Sequence, residues 1–166
     1  MTRRTTAGSL ASVLVAALVA APAAARAVQP PPTAQDFSKS SDDLERRDQP
    51  VTAEDLRILQ RADAILSSAA VWNRHDTRVC KPTDKSWSLF CAMEKASLDV
   101  LGEYRHREVA LQEVRFAVED ATRGIEFEHR MMDYNNLPTT RFEDVNKILA
   151  TATRRVADRL ASQRKQ

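Results

Sequence analysis

Only three glycines punctuate the 166 residues of this chain, at positions 8, 102 and 124, and no Asn-Gly or Asp-Gly pair occurs. Tight hairpins lean on such pairs, because their turns need positive φ at the central residues. The sequence therefore argues against a sandwich or barrel of many short strands. The same scarcity leaves no Gly-rich phosphate loop, so neither a P-loop nor a dinucleotide fingerprint is present. Helix is the remaining economical way to satisfy the backbone, and at about 150 residues per domain one domain is expected.

The first 27 residues read as a signal peptide rather than part of the fold. Arg3 and Arg4 form a basic start, Leu10 to Ala21 is apolar, and Ala25-Arg26-Ala27 fits an A-x-A cleavage site. The apolar run is shorter than the roughly 20 residues a spanning helix needs. Arg3-Arg4 leaves twin-arginine export open beside the general secretory route. Cleavage removes three positive charges and no acid, so the net charge of +2 becomes −1. That balance carries no basic footprint for nucleic acid. Residues 28–50 open with Pro30-Pro31-Pro32 and continue through serines and aspartates, the composition of a disordered linker.

Cys80 and Cys91 are the only cysteines. In an oxidising compartment an even pair reads as a disulfide, and ten intervening residues fit neither C-x-x-C redox nor zinc spacing. A closed loop of about 12 residues stabilises by roughly 3 kcal/mol in the chain-entropy model. Periplasm or secretion is the expected location.

Residues 51–162 are expected to form an all-α, four-helix bundle-like domain. Leu56, Leu59, Ala62, Leu66 and Ala69 mark a helix over Thr52–Val71, with Thr52 as N-cap and Asp55 as its capping-box acid. Trp72 to Lys85 is rich in turn formers. A second helix is expected from Asp84 or Ser86 to Leu101, with Gly102 ending it. Ala110, Leu111, Val114, Ala117, Val118 and Ala121 mark a third over Glu103–Arg123. Ile125–Leu137 reads as helix or as ordered loop. Thr140 and Glu143 form a T-x-x-E capping box for the last helix, whose Arg154, Arg155 and Arg159 read as a solvated face.

Candidate chemistry is sparse. His75, His106 and His129 lack metal-ligand spacing and read as solvated or capping side chains. No G-x-S-x-G elbow occurs, and a disulfide removes both thiols. No cofactor is expected, and the expectation is a non-catalytic protein. Glu126 to Thr140 reads two ways. As a binding surface it offers adaptable Met131, amphipathic Tyr134 and hydrogen-bonding Asn135 and Asn136. As a buried connection, the preferred reading, it uses the asparagines to satisfy backbone groups. Trp72 and Trp87 bracket the bridged loop, either anchoring it or lining a pocket for an anion with Arg74, His75 and Arg78.

The run of landmarks resembles small uncharacterised bacterial proteins of the domain-of-unknown-function type. Those landmarks are Trp72-Asn73, the W-S-L-F-C-A-M start at Trp87 to Met93, and D-Y-N-N-L-P-T-T-R-F-E-D-V at Asp133 to Val145. The resemblance implies a compact helical domain with a loop docked beside the last helix, and carries no activity. The leading expectation is an exported protein that binds an envelope protein partner, with no membrane span after cleavage. The alternative is a small-ligand- or anion-binding domain using the Trp72/Trp87 loop.

Overall fold

Five α-helices form among the described residues, which are 46–165 of a computed structural model: α1 (Ala53–Ile65), α2 (Leu89–Leu101), α3 (Val109–Ala121), α4 (Arg130–Asn136) and α5 (Phe142–Gln163). No strand accompanies them there. The leader 1–27 and most of the 28–50 segment lie outside the described residues. α1 packs against α2 and α5, α3 packs against α5, and α4 lies against α2 and α3. Ile58, Leu59, Ala62, Leu111, Val114, Leu149, Ala152 and Val156 meet in one core, fully shielded from solvent. At about 25 cal/mol per Å² of apolar surface, this burial is the main stabilising term. No helix of the described residues is long and apolar enough to cross a membrane.

The helix starts depart from the expected ones for local reasons. α1 begins as its capping box predicts: the Asp55 carboxylate accepts from the Thr52 N–H and hydroxyl, each at 2.8 Å. Its other oxygen accepts from Ala110 N–H at 2.9 Å. One buried carboxylate thus caps two helices, and that tie fixes α3 to start at Val109 rather than Glu103. α1 stops at Ile65 instead of Val71, and a 3-10 turn covers Ala69–Val71. α2 starts at Leu89, not at Asp84 or Ser86, because the Ser88 hydroxyl accepts from Cys91 N–H at 3.2 Å. It ends at Gly102, whose φ of 77° suits a residue without Cβ.

Ile125–Leu137, which the sequence left open, contains the seven-residue α4, the helix beyond the four expected. α5 is not capped by Thr140. That hydroxyl is buried and donates to the Tyr134 carbonyl at 2.7 Å, so Asp144 caps instead, accepting from Arg141 N–H at 3.1 Å. The late arginines are not all a solvated face. Arg155 reaches Asp120 on α3 at 2.7 Å, and Arg159 pairs with Glu113 and donates to the carbonyls of Arg47 and Gln49.

Candidate functional site

The Cys80–Cys91 disulfide forms, tying the loop after the 3-10 turn to the first turn of α2. The loop is held a second time by α4. Asn135, fully buried, accepts from Trp72 Nε1 at 2.8 Å and from Leu89 N–H at 3.1 Å, and donates to the Asn73 carbonyl at 3.0 Å. Asn136 accepts from Asp76 N–H at 2.7 Å and donates to the Asp76 carbonyl at 2.9 Å. Two side-chain amides therefore substitute for a strand neighbour along the loop. Trp72 and Trp87 meet through their backbones: Trp87 N–H donates to Val71 at 2.7 Å and Asn73 N–H to Trp87 at 3.0 Å.

This clasp sorts the candidate residues. Trp72, Asn135 and Asn136 hold the loop, and Arg74 joins them by donating to the carbonyls of Leu137 and Pro138. Tyr134 is buried beside Asp144, and burial first, then that carboxylate, pushes its phenol up to about 12. His75 is exposed, its N–H donating to Asn73 Oδ1 at 2.9 Å. Trp87 lines an apolar groove with Cys80, Pro82 and Leu98. Arg78 and Met131 go elsewhere, into a cleft that also takes His106, Arg115, His129 and Arg130.

That cleft holds about 170 Å³ between the bridged loop, α3 and the start of α4, with Phe90 and Phe127 in its walls. Arg78 Nη1 lies 3.0 Å from His129 Nε2, and the guanidinium sits 5.2 Å over the Phe90 ring. Arg115 is only 8% exposed; it donates to the His106 carbonyl at 3.0 Å and approaches the imidazole at 3.4 Å. Tyr104 lies 3.0 Å from His106 Nδ1 and packs edge-on against Phe90, and burial raises its phenol. Arg130 meets Glu119 at 3.9 Å. The single acid of the lining, Glu128, is 89% exposed. Three guanidiniums and two imidazoles thus line one cleft.

Sequence reasoning singled out Arg78 and Met131, read His106 and His129 as solvated or capping side chains, and did not join any of them to Arg115 or Arg130. His106, Arg115 and Arg130 come from separate elements and share no motif. The one available signal was the density of Arg and His in the two segments flanking α3. Among the described residues, no three of His, Cys, Asp and Glu gather to hold a metal ion.

Comparison with known families places the chain: it belongs to a family of unknown function (DUF6197), whose model matches residues 50–155. The matched stretch contains the disulfide, the asparagine clasp and every residue of the cleft. No curated protein and no solved structure matches the chain.

Proposed function

Taking membership of that family as the premise, we propose that this chain is an exported, non-catalytic module that binds a small anion in the Arg78/Arg115/Arg130 cleft. One observation carries the reading: the Arg78 guanidinium lies 3.0 Å from the His129 imidazole and over the Phe90 ring, with no ion-pair carboxylate among the described residues. An arginine with a carboxylate partner is neutralised, whereas one with an imidazole partner keeps its charge for a ligand. Carboxylate, phosphate or sulfate oxygens suit the guanidinium fork. The leader-like residues 1–27 and the Cys80–Cys91 bond support export. Thermal melts with phosphate, sulfate and chloride at equal ionic strength test the binding. The oxyanions are expected to raise Tm by several degrees at 100-fold excess over Kd, where the linkage is worth about 2.7 kcal/mol. An equal shift with chloride, or in Arg78→Gln/His129→Gln, ends the reading. N-terminal sequencing of the native protein tests export: a start at Val28 supports it, and an intact Met1 start in the cytosol ends it.

A protein partner is the second reading, favoured by one feature. Val79 and Leu98 are 64% and 42% exposed near the Cys80/Pro82/Trp87 groove. A photo-cross-linking residue at Leu98 is expected to give one reproducible adduct from envelope extracts. No adduct there ends this reading.

A further inference from the structure

We propose that the Cys80–Cys91 bond is a redox gate on the cleft: a dithiol reductant enters at Cys80, and the anion site then loses Arg78. The ligand half of this proposal rests on the anion reading above. The switch half rests on the geometry of one short span.

That span runs from Asp76 to Cys80. At one end Asn136 grips both backbone groups of Asp76. At the other, Cys80 is bonded to Cys91. Between them Arg78 has a φ of 59°, the one positive value for a non-glycine among the described residues. Its N–H donates to Asp76 Oδ1 at 2.7 Å. A side chain with Cβ is disfavoured in this region and stays there only while its surroundings hold it. The guanidinium rests on Phe90, the residue before Cys91. The disulfide therefore keeps the backbone of Arg78 beside the ring that positions its head. Breaking the bond frees one end of the span, the strained residue relaxes, and Arg78 leaves the cleft.

The two sulfurs are not equivalent. Cys80 is half-buried on the lip of a groove flanked by Lys81 and Lys95, and Cys91 is buried. An incoming thiolate forms a bond to Cys80 Sγ while the Cys80–Cys91 bond breaks. The electron pair goes to Cys91 Sγ, in the first turn of α2, where the helix dipole favours negative charge. The second thiolate of the reductant then attacks its own bound sulfur and releases Cys80. Two electrons and two protons pass to the protein, and the reductant departs as a disulfide. Ile58, Leu59, Leu111, Val114, Leu149 and Val156 sit on α1, α3 and α5, and Leu89, Ala92, Met93 and Ala96 bury α2 in the same core beside Cys91, so packing as well as the bond holds α2 in place.

Sulfate titration of the full chain tests the gate in three forms: oxidised, reduced with dithiothreitol, and Cys80→Ser/Cys91→Ser. Sulfate affinity is expected to fall at least fivefold in the last two, with an unchanged helical spectrum and recovery of the reduced form on reoxidation. Equal affinity in all three folded forms overturns the gate, and loss of helix on reduction makes the bond a structural staple instead. If no form binds sulfate, the anion reading fails by itself, and trypsin then reads the switch separately. Cleavage after Arg78 is expected to accelerate on reduction, and a monothiol adduct is expected on Cys80. Unchanged cleavage overturns the gate, and an adduct on Cys91 overturns entry at Cys80.

Discussion

The arginines around α3 fall into two groups that are satisfied by different chemistry. Arg47, Arg155 and Arg159 meet carboxylates: Asp120 at 2.9 and 2.7 Å, Glu119 at 3.2 Å, and Glu113. Arg47 also lies 4.6 Å over the Phe116 ring. Charge is cancelled there, and residues 47–49 are pinned to α3 and α5. Arg78 meets the His129 imidazole and the Phe90 ring, and no carboxylate among the described residues cancels its charge. Identical side chains therefore act as cement in one region and, on the anion reading proposed above, as a receptor in the other, and the partner decides which.

Removing a carboxylate from the first group gives the largest effect. Glu113 is 3% exposed and is Arg159's partner, so Glu113→Ala leaves a half-buried guanidinium without its counter-ion. Breaking such a pair costs about 3 kcal/mol, roughly 10 °C in Tm for a domain of this size. Arg78→Ala, in the second group, is expected to cost under about 0.5 kcal/mol. Equal losses in urea melts would make both groups structural.

Asn135→Ala comes next. It leaves the Leu89 N–H and the Trp72 indole without their acceptor inside the fold, at about 2 kcal/mol. Asn136→Ala, on a more exposed side chain, is expected to cost less stability but to weaken oxyanion binding by loosening Asp76. Calorimetry with sulfate separates the two. If Asn136→Ala binds sulfate as the parent does, the clasp does not position Arg78.

The comparison sharpens further when one region is given the chemistry of the other. His129→Glu supplies Arg78 with a carboxylate at the position of the imidazole. Oxyanion stabilisation is expected to vanish, while stability changes by no more than about 1 kcal/mol, as for an ion pair near the surface. Retained oxyanion stabilisation would show that Arg78 is not the receptor.

How much of this was legible in the sequence follows from the range of each interaction. The Thr52/Asp55 capping box, Gly102 and the α3 stripe are local patterns, and the helices carrying them were expected. The disulfide was legible because two cysteines allow one pairing. The second partner of Asp55, Ala110, lies 55 residues away, and no local pattern announces it; hence the late start of α3. The T-x-x-E box at Thr140 failed because a tertiary contact with Tyr134 took the hydroxyl. The asparagines were placed correctly as satisfying backbone groups, although their partners at Asn73, Asp76 and Leu89 depend on packing. The cleft was illegible as a unit, since its cations come from three segments with no shared spacing.

The smallest expected effects carry opposite signs and so test the contrast from both sides. Asp120 lies below the ordinary carboxylate range, first through its hydrogen bond from Arg47 and then that from Arg155, against some opposing burial. A depressed folded-state value gives stability that is present above the unfolded value, near pH 4, and lost as pH falls through the folded one. Asp120→Asn should therefore cost up to about 1 kcal/mol at pH 7, given a side chain one-third exposed, and nothing near pH 2. Glu94 on α2 is displaced upward, first by burial and then by Asp76. A raised value gives stability that is full below the unfolded value and lost as pH rises through the folded one. Glu94→Gln should then raise Tm by about 1–2 °C at pH 7 and leave it unchanged at pH 4. Paired melts across that range check both, and a loss in Glu94→Gln at neutral pH would mean that the carboxylate near the loop is paired rather than stranded. Carboxylates would then be cement on both sides of the molecule, and the distinction between the two arginine groups would rest on Arg78 alone.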